Sequence, residues 1–320
     1  MAQEICGVDV SSKVLDARVG RAGPSAQFAR TAEGDPNSGV VIGDNAVMVI
    51  DAQATPKAAQ AVIERVRSVT DKPIRHVVLS SYHALRTLGA SAYGADLVIC
   101  SEDTREMIVE RGAHDYKSEL QRFPRLFRTA DSIPGLTMPT VTFKERMTFW
   151  LGSLQVEIIQ PGRGPTKGDT IVWLPGERTL FSGDLVVSQA TPYAGDAHLG
   201  DWPATLQKLG ELRPEALLPG RGEPLVGAEA IRQGIAATRA FVEELYRIVA
   251  AAAEAGETPK QAYDKARAVL EPRYGKRVLF DHSLPFSVAR AWDEAKGLDH
   301  PRIWTAERDL EIWNALEPQS

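Results

Sequence analysis

His83 and Asp184 stand where a strand gives way to a turn, the position from which side chains of different segments converge. His83 lies in Ser80-Ser81-Tyr82-His83-Ala84-Leu85-Arg86, straight after an apolar run, and Asp184 ends Phe181-Ser182-Gly183-Asp184. Between them runs Gly162-Arg163-Gly164-Pro165-Thr166-Lys167-Gly168-Asp169-Thr170, and later comes Leu218-Pro219-Gly220-Arg221-Gly222. Each segment reads as a strand ending in a Gly-rich turn, where α/β layers place ligand-binding groups. Imidazole and carboxylate are metal-ligand types, but a catalytic zinc takes three protein ligands and an open position for water. Arg86 and Arg221 are permanently cationic, repel a metal ion placed between them, and can give bidentate hydrogen bonds to a carboxylate. The residues alone therefore point at most to a weak metal site.

The chain has six histidines, which bounds any metal chemistry. His198, on the loop after Asp184, reads either as a ligand that swings to the site or as loop packing. His76 sits within a strand and reads as packing. His114, His282 and His300 lie outside the turns and suit caps, loops or interfaces. Cys6 and Cys100 have no activating neighbour and read as small apolar residues. There is no Walker A sequence and no Gly-x-Ser-x-Gly elbow, and Gly162-x-Gly164 lacks a dinucleotide loop's strand-to-helix setting.

The elements that must position these residues follow from the pattern. Val40 to Ile42 and Val47 to Ile50 flank Gly43-Asp44-Asn45 as a hairpin. Thr55-Pro56 starts a helix with Ala59, Val62, Ile63 and Val66 at helical spacing. Ile74 to Leu79 and Leu97 to Cys100 suit buried strands. Ser101 caps a helix with Glu102 and Asp103 in its first turn, and Gly112 is expected to end it. Strands follow at Val141 to Phe143, Met147 to Leu151, Val156 to Ile159, Thr170 to Leu174 and Thr179 to Phe181. From about residue 227 the character is helical. Ile231, Ile235, Thr238, Val242, Leu245, Val249 and Ala252 form a heptad seam, which suits either packing on the chain's own core or a subunit interface. Gly256 stops that helix, Thr258-Pro259 starts another, and two more fall near 286–297 and 305–316. Residues 1 to about 36 read as irregular strands.

Composition agrees with a folded α/β chain. The 320 residues are 43% hydrophobic and 25% charged, with 37 basic against 42 acidic residues. That apolar fraction supports a real core, and the balance of charge argues against a nucleic-acid binder. No apolar run reaches membrane-spanning length, no basic-then-apolar leader is visible at the start, and two lone cysteines suit a reducing compartment, so a cytoplasmic location is expected.

In this order the four turn segments resemble the metallo-β-lactamase superfamily, over roughly residues 35–225. The pattern is His-x-His-x-Asp-His after one strand, a His in a Gly-rich loop, an Asp after Ser/Thr-Gly and a last His in a Pro-Gly-His-Gly turn. Val49-Ile50-Asp51, the helix after Thr55-Pro56 and Val98-Ile99 match as well. His300-Pro301-Arg302-Ile303-Trp304-Thr305-Ala306-Glu307-Arg308-Asp309 is similar to the hydrolase branch grouped with sulfur-oxidation and quinoprotein-relay systems. The resemblance implies an αββα sandwich over residues 1–226, with a C-terminal helical extension over 227–320 that packs on the core or on a partner subunit.

Carried over residue by residue, the family's first His falls on Ser81, its second on His83, its Asp on Leu85 and its next His on Arg86. The loop His falls on Pro165, the bridging Asp on Asp184 and the last His on Arg221, so the resemblance implies that Arg86 and Arg221 stand at the second metal's ligand positions and form an ion-pair cluster with Asp184 in its place. Only His83 and Asp184 keep ligand chemistry, so neither a metal nor any other cofactor is expected in this chain. Ser81 and Pro165 read as losses from a one-metal site that already kept both arginines. The implied function is a non-catalytic subunit of a hetero-oligomeric hydrolase, whose paralogous partner of the same fold carries zinc, iron or manganese. The chain also resembles the architectural subunit of nitroaromatic ether hydrolases of the 2,4-dinitroanisole demethylase type. Two alternatives remain open at this point: an active single-metal hydrolase using His83, Asp184 and a borrowed ligand, and an anion-binding module using Arg86 and Arg221.

Overall fold

The computed structural model describes residues 34–317 and the strand residues 9–10, 18–21 and 26–31. Most of the irregular N-terminal stretch, Cys6 included, lies outside the described residues. The first sheet has eight strands: β1 (Asp9–Val10), β2 (Arg18–Arg21), β3 (Ala26–Thr31), β4 (Ser38–Ile42), β5 (Val47–Ile50), β6 (Ile74–Val78), β7 (Leu97–Ser101) and β8 (Val141–Phe143). The β4–β5 hairpin is antiparallel, and β5 to β8 run parallel. The second sheet takes β9 (Arg146–Leu151), β10 (Leu154–Ile159), β11 (Ile171–Leu174), β12 (Thr179–Phe181), β13 (Ala216–Leu218) and β14 (Leu225–Val226). It is antiparallel except where β12 meets β13.

The sheets pack face to face through Val41, Met48, Ile50, Val78, Ile158, Val172 and Phe181, all buried. Outside the first sheet lie α1 (Pro56–Arg67), α2 (Ala84–Thr87) and α3 (Glu102–Arg122). Outside the second lie α4 (Trp202–Glu211), α5 (Ala228–Glu254), α6 (Pro259–Tyr274), α7 (Phe280–Ala295) and α8 (Ala306–Leu316). This is the expected αββα sandwich. The caps form as their residues require. The Thr55 and Ser101 hydroxyls accept backbone N–H groups at the starts of α1 and α3, and Thr258 and Gln261 close a capping box on α6.

One expectation changes, and one open choice is decided. Gly112 does not end α3, which continues to Arg122. Asp115, Ser118 and Glu119 beyond it are all buried with partners, and these contacts outweigh the roughly 1 kcal/mol that glycine costs inside a helix. The heptad seam of α5 packs on the chain's own core. Ile231, Val242, Leu245, Val249 and Ala252 sit with Trp173 and Leu180 of the second sheet and with Leu284 and Val288 of α7, so the seam is not a free subunit interface.

Candidate functional site

The parallel arrangement brings several strand ends to one edge of the sandwich. β5 runs into Asp51, β6 into Ser80 to Arg86, and β10 into the Gly162–Asp169 loop. β12 delivers Asp184 and β13 delivers Arg221. His83, Leu85, Pro165, Asp184 and Arg221 line one cavity, which leaves about 20 Å³ for solvent, room for about one water molecule. Ser81 Oγ lies 3.4 Å from His83 Nδ1, and Arg86 reaches Asp184 from below. The structure thus brings all seven positions to one place.

At the centre is Arg86, which is fully buried. Its Nε donates to Asp184 Oδ2 at 2.9 Å and its Nη2 to Asp184 Oδ1 at 2.5 Å. Nη1 donates to Asp51 Oδ2 at 2.6 Å, and Nη2 also to Gly220 O at 3.0 Å. Arg221 adds a second cation, its Nε 3.7 Å from Asp184 Oδ1, while its Nη1 donates to Gly34 O at 2.6 Å. Burial opposes ionisation of Asp184, but the two guanidinium groups outweigh it and hold the carboxyl down at about 2. Asp51 is the partner that sequence reasoning missed. It ends a buried strand and also accepts Ser80 N–H and Oγ–H, each at 2.8 Å. Its signal was available: an Asp closing Val49-Ile50, beside the strand that delivers His83.

A second polar layer surrounds His83. Its Nε2 is 3.4 Å from Asp196 Oδ2. Asp115 Oδ2 accepts the Ala84 N–H at 2.6 Å and Glu119 Oε2 accepts the Leu85 N–H at 2.7 Å, so two carboxylates one turn apart on α3 cap α2. Burial raises both carboxyls, Glu119 to about 7, against the pull of Arg122 and the Leu85 N–H. Asp169, in the Gly-rich loop, is likewise pushed by burial to about 7. Burial disfavours the cation of His83, but its bond to Asp196 and the charge of Asp115 raise it overall.

The other histidines sit elsewhere. His198 is buried, both its ring nitrogens lack hydrogen-bond partners, and its Nδ1 faces Asp299 Oδ1 at 3.7 Å. Burial, with Arg163 and Arg290 nearby, holds it at about 4. His76 packs edge-on against Phe149, His282 stacks on Phe123, and His300 pairs with Glu110. Cys100 is a buried free thiol, raised to about 12 by burial.

These residues do not fit the metal that the fold family implies. Among the described residues no three His, Cys, Asp or Glu side chains are grouped to hold an ion. Leu85 offers no donor, Pro165 only its carbonyl, and both oxygens of Asp184 are already bound to Arg86. The cluster is packed tightly around this arrangement. A Cβ on Gly220 would sit 2.4 Å from Asp184 Oδ1 and 2.6 Å from the Gly183 carbonyl carbon, where nothing can yield cheaply. Gly220→Ala is therefore expected to cost about 1–3 kcal/mol in denaturant unfolding, against a few tenths for Gly176→Ala in open space.

The sequence profile of the metallo-β-lactamase superfamily matches residues 31–221. This chain belongs to the metallo-β-lactamase superfamily. It is 24% identical over 201 residues to a metallo-β-lactamase type 2 of Bacillus cereus, covering 60% of this chain and 69% of the lactamase. It is 20% identical over 254 residues to the linear primary-alkylsulfatase of Pseudomonas sp. (strain ATCC 19151), covering 69% of this chain and 48% of that enzyme. The superfamily member described here thus spans about half of the alkylsulfatase it matches. Among solved structures, a metallo-β-lactamase from Pontibacter korlensis superposes with a TM-score of 0.55 at 20% identity, covering 70% of this chain and 99% of the lactamase. The stereoselective inverting sec-alkylsulfatase Pisa1 from Pseudomonas sp. superposes with a TM-score of 0.64 at 17% identity, covering 88% of this chain and 55% of that one. Residues 1–226 alone could not supply that coverage, so the alkylsulfatase match reaches into the C-terminal helices. Among the described residues no helix is long and apolar enough to cross a membrane.

Proposed function

We propose that this chain is a metal-free, non-catalytic subunit of a hydrolase, held beside a paralogous subunit of the same fold that carries the metal. The observation that carries the reading is Arg86. Its guanidinium bonds both oxygens of Asp184 and one of Asp51, and so supplies the positive charge for those carboxylates from within the chain. A cavity with room for about one water beside it suits no organic substrate. The chemistry proposed for the whole complex is aryl ether hydrolysis or demethylation, with zinc, iron or manganese in the partner. The overall resemblance to nitroaromatic ether hydrolase subunits supports this, and a cytoplasmic location goes with it.

The two alternatives find less support. An active single-metal site needs a third ligand, and His198 faces Asp299 instead. An anion gripped jointly by Arg86 and Arg221 would compete with four hydrogen bonds that Arg86 already makes. Purification under native conditions from the source cells tests the proposal. The expected result is a stable complex with a paralogous chain, in which all the metal follows the paralogue on separation. A homo-oligomer that hydrolyses its substrate with its own metal contradicts it.

A further inference from the structure

The mouth of the cavity is closed by the C-terminal region rather than by the sandwich itself. Leu279, the residue preceding α7, lines the cavity together with Ser283 one turn on. Leu279 adopts φ +70° and ψ 4°, a left-handed conformation that glycine takes freely and a leucine rarely does. Such strain persists where the surroundings enforce it, and it clusters at active sites, ligand clamps and switch segments. Backbone hydrogen bonds tether this turn: Thr191 N–H donates to Val278 O at 2.9 Å, Arg277 N–H to Tyr274 O at 2.8 Å, Phe280 N–H to Arg277 O at 3.2 Å and Ser283 N–H to Leu279 O at 2.8 Å. Val278 is exposed, and α7 is buried from Ser283 to Ala291.

Behind the leucine is a wall that differs from an ordinary core. Arg221 points its guanidinium into the cavity. Among the described residues that guanidinium makes a single hydrogen bond, to Gly34 O, and an ion pair with Asp184 Oδ1 at 3.7 Å. Arg122, buried against the rings of Phe123 and Tyr193, closes another side, and Leu85 and Pro165 supply apolar surface. Asp184 and Glu119 line the same cavity, and against them stand two guanidinium groups, Arg122 and Arg221, the latter with donors to spare; with the aromatic and aliphatic groups around them these match an aromatic anion.

We infer that the turn Arg277–Phe280 is a plug with Leu279 as its stopper, and that displacing it uncovers a site for a small aromatic carboxylate on Arg221. This deepens the proposed function, on which it rests only in taking Arg86 as the fixed partner of Asp184. A site of this kind would let the non-catalytic subunit sense an anionic arene without turning it over.

The test uses the full chain after dialysis against a chelator, with benzoate as the probe and calorimetric titration as the readout. Leu279→Ala is expected to bind one benzoate at least about tenfold more tightly than the parent chain, a gain that Leu279→Ala/Arg221→Gln loses. Benzyl alcohol, with the same ring and no charge, should show less than a third of that gain. A folded Leu279→Ala chain that binds benzoate no better than the parent overturns the inference, as does a gain indifferent to Arg221. Should the variants fail to fold, hydrogen exchange on the parent chain decides the matter. Benzoate should speed exchange of the Phe280 amide and leave Val288 to Ala291 unchanged, and no change at Phe280 counts against the plug. A metal found at His83 in an untreated sample would overturn the functional reading and leave this result standing.

Discussion

Arg86→Met is expected to destabilise the chain by about 3–5 kcal/mol, the loss typical when one partner of a buried charge cluster is removed. The size follows from what stays behind. Asp51 and Asp184 would keep two buried carboxylates within a site built around a cation, and Arg221, 3.7 Å from Asp184, reaches only one of them. Arg86→Lys should recover less than half of the loss. A single ammonium cannot make the fork that joins both oxygens of Asp184, one of Asp51 and the Gly220 carbonyl at once. The double variant Arg86→Met/Asp184→Asn should be less damaged than the sum of its single changes by about 2 kcal/mol or more, as expected for groups in direct contact. Denaturant unfolding of the four chains measures this cycle. Additive losses would mean that Arg86 contributes packing rather than charge.

Glu119→Gln should behave oppositely, stabilising the chain as pH rises. The Glu119 carboxyl lies at about 7 in the folded chain, above its ordinary value, because it is buried beneath α2. A folded-state value above the unfolded one means the native chain holds more protons between about 4.5 and 7, so stability from this group is lost as pH rises through that window. Glutamine resembles the protonated acid and still accepts the Leu85 N–H. The variant and parent should therefore match near pH 4.5 and diverge by a few kcal/mol by pH 7.5, since each tenfold difference in proton affinity between folded and unfolded chain is worth about 1.4 kcal/mol. The comparison matters because the parent profile alone is mixed. His198 and His282, both held at about 4 by burial, gain stability over much of the same range as pH rises. Their contribution is common to both chains and cancels in the difference. A difference that stays flat with pH would show that Glu119 is charged in the native chain throughout.

Strand ends and caps were legible because each depends on local spacing: period-two apolar runs, Thr-Pro and Ser-x-x starts, Gly-rich turns; the seven site positions were legible only through the family resemblance, which places its motif on them. The pairing of Arg86 with Asp184 was legible once both were placed at neighbouring strand ends. What surrounds them was not. Arg111, Asp115, Ser118, Glu119 and Arg122 recur on one face of α3 at helical spacing, a pattern that from sequence alone reads as a solvated stripe. They face the interior because distant segments cover them: Ala84 and Leu85 over Asp115 and Glu119, and residues up to 191 positions later over the rest. Pro301 O accepts from Arg111, Asp309 accepts from Ser118 and pairs with Arg122, and Tyr193 lies over Arg122. Only the fold brings these together. For the same reason the seam of α5 left two readings open, since periodicity shows that a face is apolar and not what covers it.

On the function proposed, guanidinium rather than metal serves the carboxylates at this edge of the sandwich. Elemental analysis of the chain, produced alone in cells supplied with zinc, iron and manganese and purified without chelator, tests it most directly. The account predicts below about 0.1 equivalent of any of the three, with a melting temperature that EDTA leaves unchanged, since structural metal would contribute folding energy. One equivalent of metal that survives dialysis and disappears in His83→Ala would contradict it.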